Sequence, residues 1–87
     1  MPITPKNLVK HELTGLMVEI TESSDKNKIG IRGTVIRESK GIITIETSTG
    51  EKGIPKNECT FRFMLDNTAV EVDGKVLIGR PEDRVKK

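Results

Sequence analysis

From Leu16 onward the apolar residues of this chain recur at every second position. Leu16, Val18 and Ile20 alternate with Met17, Glu19 and Thr21. Ile29, Ile31, Gly33 and Val35 then alternate with Gly30, Arg32, Thr34 and Ile36. A period of two sends successive side chains to opposite faces of an extended backbone, so these stretches predict half-buried strands. Ile43 and Ile45 give a third strand, and Thr60 to Leu65 a fourth, with Phe61 and Phe63 on one face. Val70 and Val72 lead into Asp73-Gly74, a hairpin signal, with Val76 and Ile78 on the returning strand. Lys40-Gly41 and Thr49-Gly50 mark turns, Glu22 to Lys28 a polar loop, and Ile54 to Asn57 a short connection.

The sum is five or six short antiparallel strands in 87 residues. A chain of this length makes one domain, residues 1–87, with one modest core. Closure removes exposed sheet edges, so the expected architecture is mainly β, a closed or nearly closed, strongly bent barrel. Gly30 and Gly33 suggest a bulge or sharp bend in the second strand. Thr4-Pro5 is a helix-start signal, and Lys6 to Leu13 reads as a two-turn helix ended by Thr14-Gly15. That length is not stable alone, so the helix must dock. Pro81-Glu82-Asp83-Arg84 is a candidate start for a short C-terminal helix.

Several function classes find no support. The one Cys, Cys59, and the one His, His11, supply neither a disulfide nor a zinc set. Cys59 reads as a small buried hydrophobe at the start of the Phe strand. No nucleophile motif or phosphate-cradling glycine loop occurs. Glu82-Asp83 reads as an acidic first turn beside Arg80 and Arg84 rather than a metal site. No apolar run reaches the roughly 18 residues of a membrane helix and no signal-peptide pattern opens the chain. The expectation is a reducing, cytoplasmic setting and no membrane partner.

Nucleic-acid binding is compatible with the charges without being dictated by them. Fifteen cations against thirteen acids leave a formal charge of only +2. Both termini are mildly basic. Lys6, Lys10 and His11 stand against Glu12, and Arg80, Arg84, Lys86 and Lys87 against Glu82 and Asp83. There is no Trp or Tyr, and Phe61 and Phe63 belong in the core, so base stacking is poorly supported. Any RNA binding rests on Lys and Arg contacts to phosphates and on shape. Arg62 lies between two core Phe residues and points outward. Arg32 sits opposite the Ile29 and Ile31 positions or at a bulge.

Four stretches carry a resemblance. Asn7-Leu8-Val9-Lys10-His11-Glu12-Leu13 is followed by Gly15-Leu16. Ile31 to Ser39 forms a Gly-x-Val strand ending in an acid and a hydroxyl residue. Ile54-Pro55-Lys56 precedes Phe61-Arg62-Phe63, and Val72-Asp73-Gly74 precedes Arg80-Pro81-Glu82-Asp83-Arg84. In order and spacing these resemble the archaeal ribonuclease P protein component 1 family, whose eukaryotic relatives also serve ribonuclease MRP. The Arg80-to-Arg84 run is the most specific piece. Glu38-Ser39 departs conservatively from the family's usual Glu-Thr. The chain lacks the long basic N-terminal extension of eukaryotic relatives, which favours the archaeal form.

The resemblance implies an Sm-like barrel flanked by terminal helices and a non-catalytic subunit of ribonuclease P. It implies pairing with a zinc-ribbon ribonuclease P protein and binding to the ribonuclease P RNA, with precursor tRNA met indirectly. No cofactor is implied for this chain; the catalytic Mg²⁺ belongs to the RNA subunit. Residue by residue it nominates Lys10, Arg32, Lys56, Arg62, Arg80 and Arg84 for RNA contact. Lys10, His11, Glu12 and Leu13, with Gly33, Thr34 and Val35, are nominated for the zinc-ribbon interface. Arg80 and Arg84 have an alternative role, pairing with Glu12, Glu82 or Asp83 to fasten the termini. Two rival functions remain: a general RNA-binding barrel of the ribosome or translation apparatus, and a protein-interaction module that touches no nucleic acid.

Overall fold

In a computed structural model, the structure describes Leu8, residues 11–65 and residues 68–79. Six strands follow one another: β1 (Met17–Ser23), β2 (Arg32–Glu38), β3 (Ile42–Thr47), β4 (Gly50–Pro55), β5 (Cys59–Leu65) and β6 (Thr68–Asp73). They form one sheet in the order β4-β3-β2-β1-β5-β6, and every neighbouring pair is antiparallel. The single long-range pairing, β1 with β5, joins the two consecutive meanders.

The inward faces of the strands meet in one core. Val18 and Ile20 of β1, Val35 of β2, Ile43 and Ile45 of β3, and Ile54 of β4 join Cys59, Phe61 and Phe63 of β5. Phe61 and Phe63 are fully buried with ring centroids 6.1 Å apart, as their place in the alternation predicts. Val70 and Val72 of β6 pack on this cluster, and Leu8, Leu13 and Leu77 join it from outside the sheet. A single sheet can bury its own face this completely only by curling around it. Two register shifts assist the bend, one between Ile20 and Glu22 opposite β5, the other between Val35 and Arg37 opposite β3.

The expected barrel differs from the observed sheet in four ways. The sheet is not closed: β4 and β6 remain its two edges. The stretch read as a turn and connection between Thr49 and Asn57 contains a whole strand, β4, whose first four residues are exposed and carry no apolar side chain. The expected returning strand at Val76 and Ile78 is instead a 3-10 turn, Gly74–Leu77. The Asp73 carboxylate accepts from the Lys75 N–H and starts that turn, so Asp73-Gly74 acts as a cap rather than a hairpin bend. The second strand also begins at Arg32 rather than Ile29, because a 3-10 turn at Lys26–Lys28 precedes it. The expected N-terminal helix meets the described residues only at its end. The His11 N–H donates to the Leu8 carbonyl (3.0 Å) in a single turn, and residues 11–13 are not helical. Thr4-Pro5 and the C-terminal helix from Pro81 lie outside the described residues.

Gly33 is required for a different reason from the one the sequence suggests. It lies at neither register shift. A Cβ there would collide with the Glu46 carbonyl and press on the Ile45 side chain, so β2 approaches β3 more closely than any other residue allows. Gly33→Ala should therefore destabilise the fold by about 1–3 kcal/mol through overpacking, read as a lower urea midpoint. An unchanged midpoint would show that the strands can part without cost.

Candidate nucleic-acid interface

Two kinds of charged side chain exist in this fold, and the sheet separates them. The first kind is buried. After the register shift in β2, Glu38 falls opposite Ile43, and its carboxylate has no exposed area. Pro55 ends β4 and turns the chain so that Lys56 enters the same place, also with no exposed area. Lys56 Nζ donates to Glu38 Oε1 (2.9 Å), the Ser39 carbonyl (2.7 Å) and the Gly79 carbonyl (3.0 Å). An ammonium has three N–H donors, and all three are used. The other carboxylate oxygen, Glu38 Oε2, accepts the Leu13 N–H at 3.3 Å.

This corrects the expectation that Lys56 contacts RNA. Its ammonium is enclosed by protein acceptors and has no face to offer a phosphate. Removing one partner of such a pair leaves the other charged and dry, which costs about 3–5 kcal/mol.

The second kind lies on the convex face of the sheet. Arg32, Glu19, Arg62 and Glu71 are successive cross-strand partners on β2, β1, β5 and β6, a row of alternating charge. Arg62 points outward, as its position between two buried Phe residues predicts, and donates from Nη2 to Glu19 Oε1 at 3.2 Å. Its Nε is buried with no partner among the described residues. Arg37 donates to Glu51 at 2.7 Å on the same side of the sheet. The Arg37–Glu51 pair is solvent-exposed and contributes about 0–1 kcal/mol, while the Arg62–Glu19 pair is half-buried. Beyond β1, Lys28 bonds Asp25 at 2.9 Å, which lowers the Asp25 carboxyl below its ordinary range and raises the Lys28 ammonium.

Arg32 and Lys52 differ from these: neither has an ion-pair partner among the described residues. Both line a surface hollow of about 260 Å³ with Thr47, Ser48 and Thr49 of the β3–β4 turn. The sequence singles out neither Lys52 nor this hydroxyl run, and marks Thr49-Gly50 only as a turn. The available signal is three consecutive hydroxyl residues, the last of them three positions before a lysine.

The nominated partner residues also divide. Thr34 faces outward, its hydroxyl 3.3 Å from Met17 Sδ. Met17 is opposite Met64 across β1 and β5, and both are exposed, at 52% and 40%. Glu12 is exposed and His11 half-buried. Leu13 and Val35 are instead core residues, 0% and 1% exposed, and Gly33 packs against β3. Their side chains hold the fold together and cannot meet a partner directly. Lys10, Arg80 and Arg84 lie outside the described residues.

A curled six-stranded sheet with a polar, charge-laced outer surface defines a small all-β domain suited to contacts across its convex face. Residues 6–87 match the model of the family described as ribonuclease P/MRP, subunit p29. The chain is 50% identical to ribonuclease P protein component 1 of Methanocaldococcus jannaschii, over 98% of this chain and 90% of that protein. It is 41% identical to the protein of the same name from Haloarcula marismortui, over 99% and 92%. Among solved structures it resembles Mth11, a homologue of human RNase P protein Rpp29. The TM-score is 0.61 at 39% identity, covering 85% of this chain and 97% of that one. The chain belongs to the ribonuclease P/MRP subunit p29 family.

The buried pair yields a direct test. Lys56→Met should lower stability by about 3–5 kcal/mol in urea unfolding, because Glu38 loses its buried countercharge. Lys56→Met combined with Glu38→Leu should recover a large part of that loss. A single variant as stable as the parent would show that the pair does not hold the fold.

Proposed function

We propose that this chain is a non-catalytic protein subunit of ribonuclease P, working in the cytoplasm on the maturation of tRNA 5′ ends. The observation that carries this reading is the family match over residues 6–87, with relatives called ribonuclease P protein component 1 at 41–50% identity over nearly the whole chain. In this reading the RNA subunit holds the catalytic Mg²⁺ and the chain binds no cofactor of its own. Its contribution is electrostatic: cations on the convex face neutralise phosphates, so the RNA folds and holds precursor tRNA at lower Mg²⁺.

Arg32 and Arg62 are the described members of that RNA-facing set, with Lys10, Arg80 and Arg84 proposed beside them. A zinc-ribbon subunit is proposed as the protein partner. It would meet the His11-Glu12 segment and the outward side of β2, where Thr34 adjoins exposed Met17 and Met64. Methionine is a frequent choice at such adaptable contacts, which supports this placement.

Reconstitution separates the parts of this reading. The chain alone should leave precursor tRNA intact. Added to the RNA subunit and the remaining protein subunits, it should lower the Mg²⁺ concentration at which cleavage is half-maximal. Cleavage by the protein without RNA would overturn the non-catalytic role. An unchanged Mg²⁺ requirement would overturn the electrostatic one.

A further inference from the structure

We propose that the hollow between the start of β2 and the β3–β4 turn seats one phosphodiester of the RNA backbone, held by Arg32 and Lys52. The proposal rests on the RNA-binding reading above and gives it a defined contact point.

Most of the guanidinium charge on the sheet is already neutralised. Three arginines fall among the described residues. Arg37 is bonded to Glu51 and Arg62 to Glu19. Two acids near the hollow are thereby engaged elsewhere. Glu19 is the direct cross-strand partner of both Arg32 and Arg62, and its carboxylate bonds Arg62. Glu51 precedes Lys52 on β4, but the alternation of the strand sends it to the opposite face, where it bonds Arg37. Arg32 and Lys52 thus both border a space that no carboxylate lines.

The remaining wall supplies hydroxyls. Thr47 is committed to its own turn, donating to the Gly50 carbonyl at 2.7 Å and receiving the Thr49 N–H at 3.2 Å. These bonds fix the turn that carries Ser48, whose hydroxyl has no partner among the described residues and borders the hollow. A guanidinium, an ammonium and a free hydroxyl around an open depression suit a tetrahedral oxyanion. Because the hollow opens to solvent, the anion can belong to a continuing chain, as a backbone phosphate does. Uncompensated charge at this end of the sheet also orients an approaching polyanion.

The test compares wild-type protein with Arg32→Gln/Lys52→Gln and with Arg37→Gln. Binding to the ribonuclease P RNA is measured by fluorescence anisotropy over a salt series. The exposed positions allow all variants to be checked for unchanged thermal midpoints. The double variant should bind about tenfold more weakly, with a salt slope shallower by about 0.7–0.9, as expected for one lost phosphate contact. Arg37→Gln should retain the wild-type slope. A double variant with the wild-type slope would remove the hollow from the interface and leave the RNA-binding reading standing. A wild-type protein that does not bind this RNA would overturn that reading and the proposal with it. A parallel titration with inorganic phosphate, followed by the amide signals of residues 47–50, distinguishes the remaining source. Tight saturation by phosphate, with RNA affinity unaffected by the double substitution, would make the hollow a free-anion site and contradict the proposal.

Discussion

The Glu38–Lys56 pair joins parts of the chain that the sheet alone leaves separate. Three successive carbonyls of the β2–β3 turn are bound from this one place. Ser39 accepts from Lys56 Nζ, Lys40 from the Gly79 N–H (2.8 Å), and Gly41 from the Lys56 N–H (2.8 Å). Glu38 meanwhile holds the Leu13 N–H, and Lys56 holds the Gly79 carbonyl. The segment before β1 and the segment after β6 are therefore both tied to one buried charge pair. The 3-10 turn Gly74–Leu77 sits directly on this junction, since a Cβ at Gly74 would collide with the Lys56 carbonyl. A buried pair is not a strong source of net stability. Here it fixes which chain segments cover the open sheet, and with them the placement of Leu13 and Leu77 in the core.

That arrangement has a consequence for the outer surface. With its inner face filled by aliphatic and Phe side chains, the sheet can present function only on its convex side and at its edges. The convex side carries alternating charges that satisfy one another across β1 and β5, which stabilises the strands locally. Where the alternation ends, at Arg32, a cation is left without its acid. The apolar step at Met17 and Met64 lies one row away on the same side. A row of charges and an apolar step thus sit side by side on a surface backed by the core beneath it.

Much of the fold was legible in the sequence because burial on one face imposes a strict period on a strand. That period finds β1, β2, β3 and β5 and puts Phe61 and Phe63 in the core, while Cys59 reads as buried from its small apolar side chain. β4 was not legible, because an edge strand with exposed Gly50, Glu51, Lys52 and Gly53 has no apolar alternation to display. Val76 and Ile78 mimicked a strand, but only Leu77 between them is buried, and both are exposed, at 58% and 41%. The nominated cations fared according to geometry. Arg62 could be placed because its neighbours in the strand are core residues. Lys56 could not, because its burial depends on a register shift in β2 that turns Glu38 inward, and nothing in the residues around Val35 to Arg37 announces it. The unpaired state of Arg32 and Lys52 depends on which arginine each acid selects, a three-dimensional matter that spacing along the chain does not encode.

The central claim is that this chain works as part of ribonuclease P. The most direct measurement is a tagged pull-down from the native host, with sequencing of the co-purified RNA and identification of the co-purified proteins. Enrichment of ribonuclease P RNA together with a zinc-ribbon protein is the predicted result. Enrichment of ribosomal RNA, or of proteins with no RNA, would contradict the account and leave only the curled six-stranded fold.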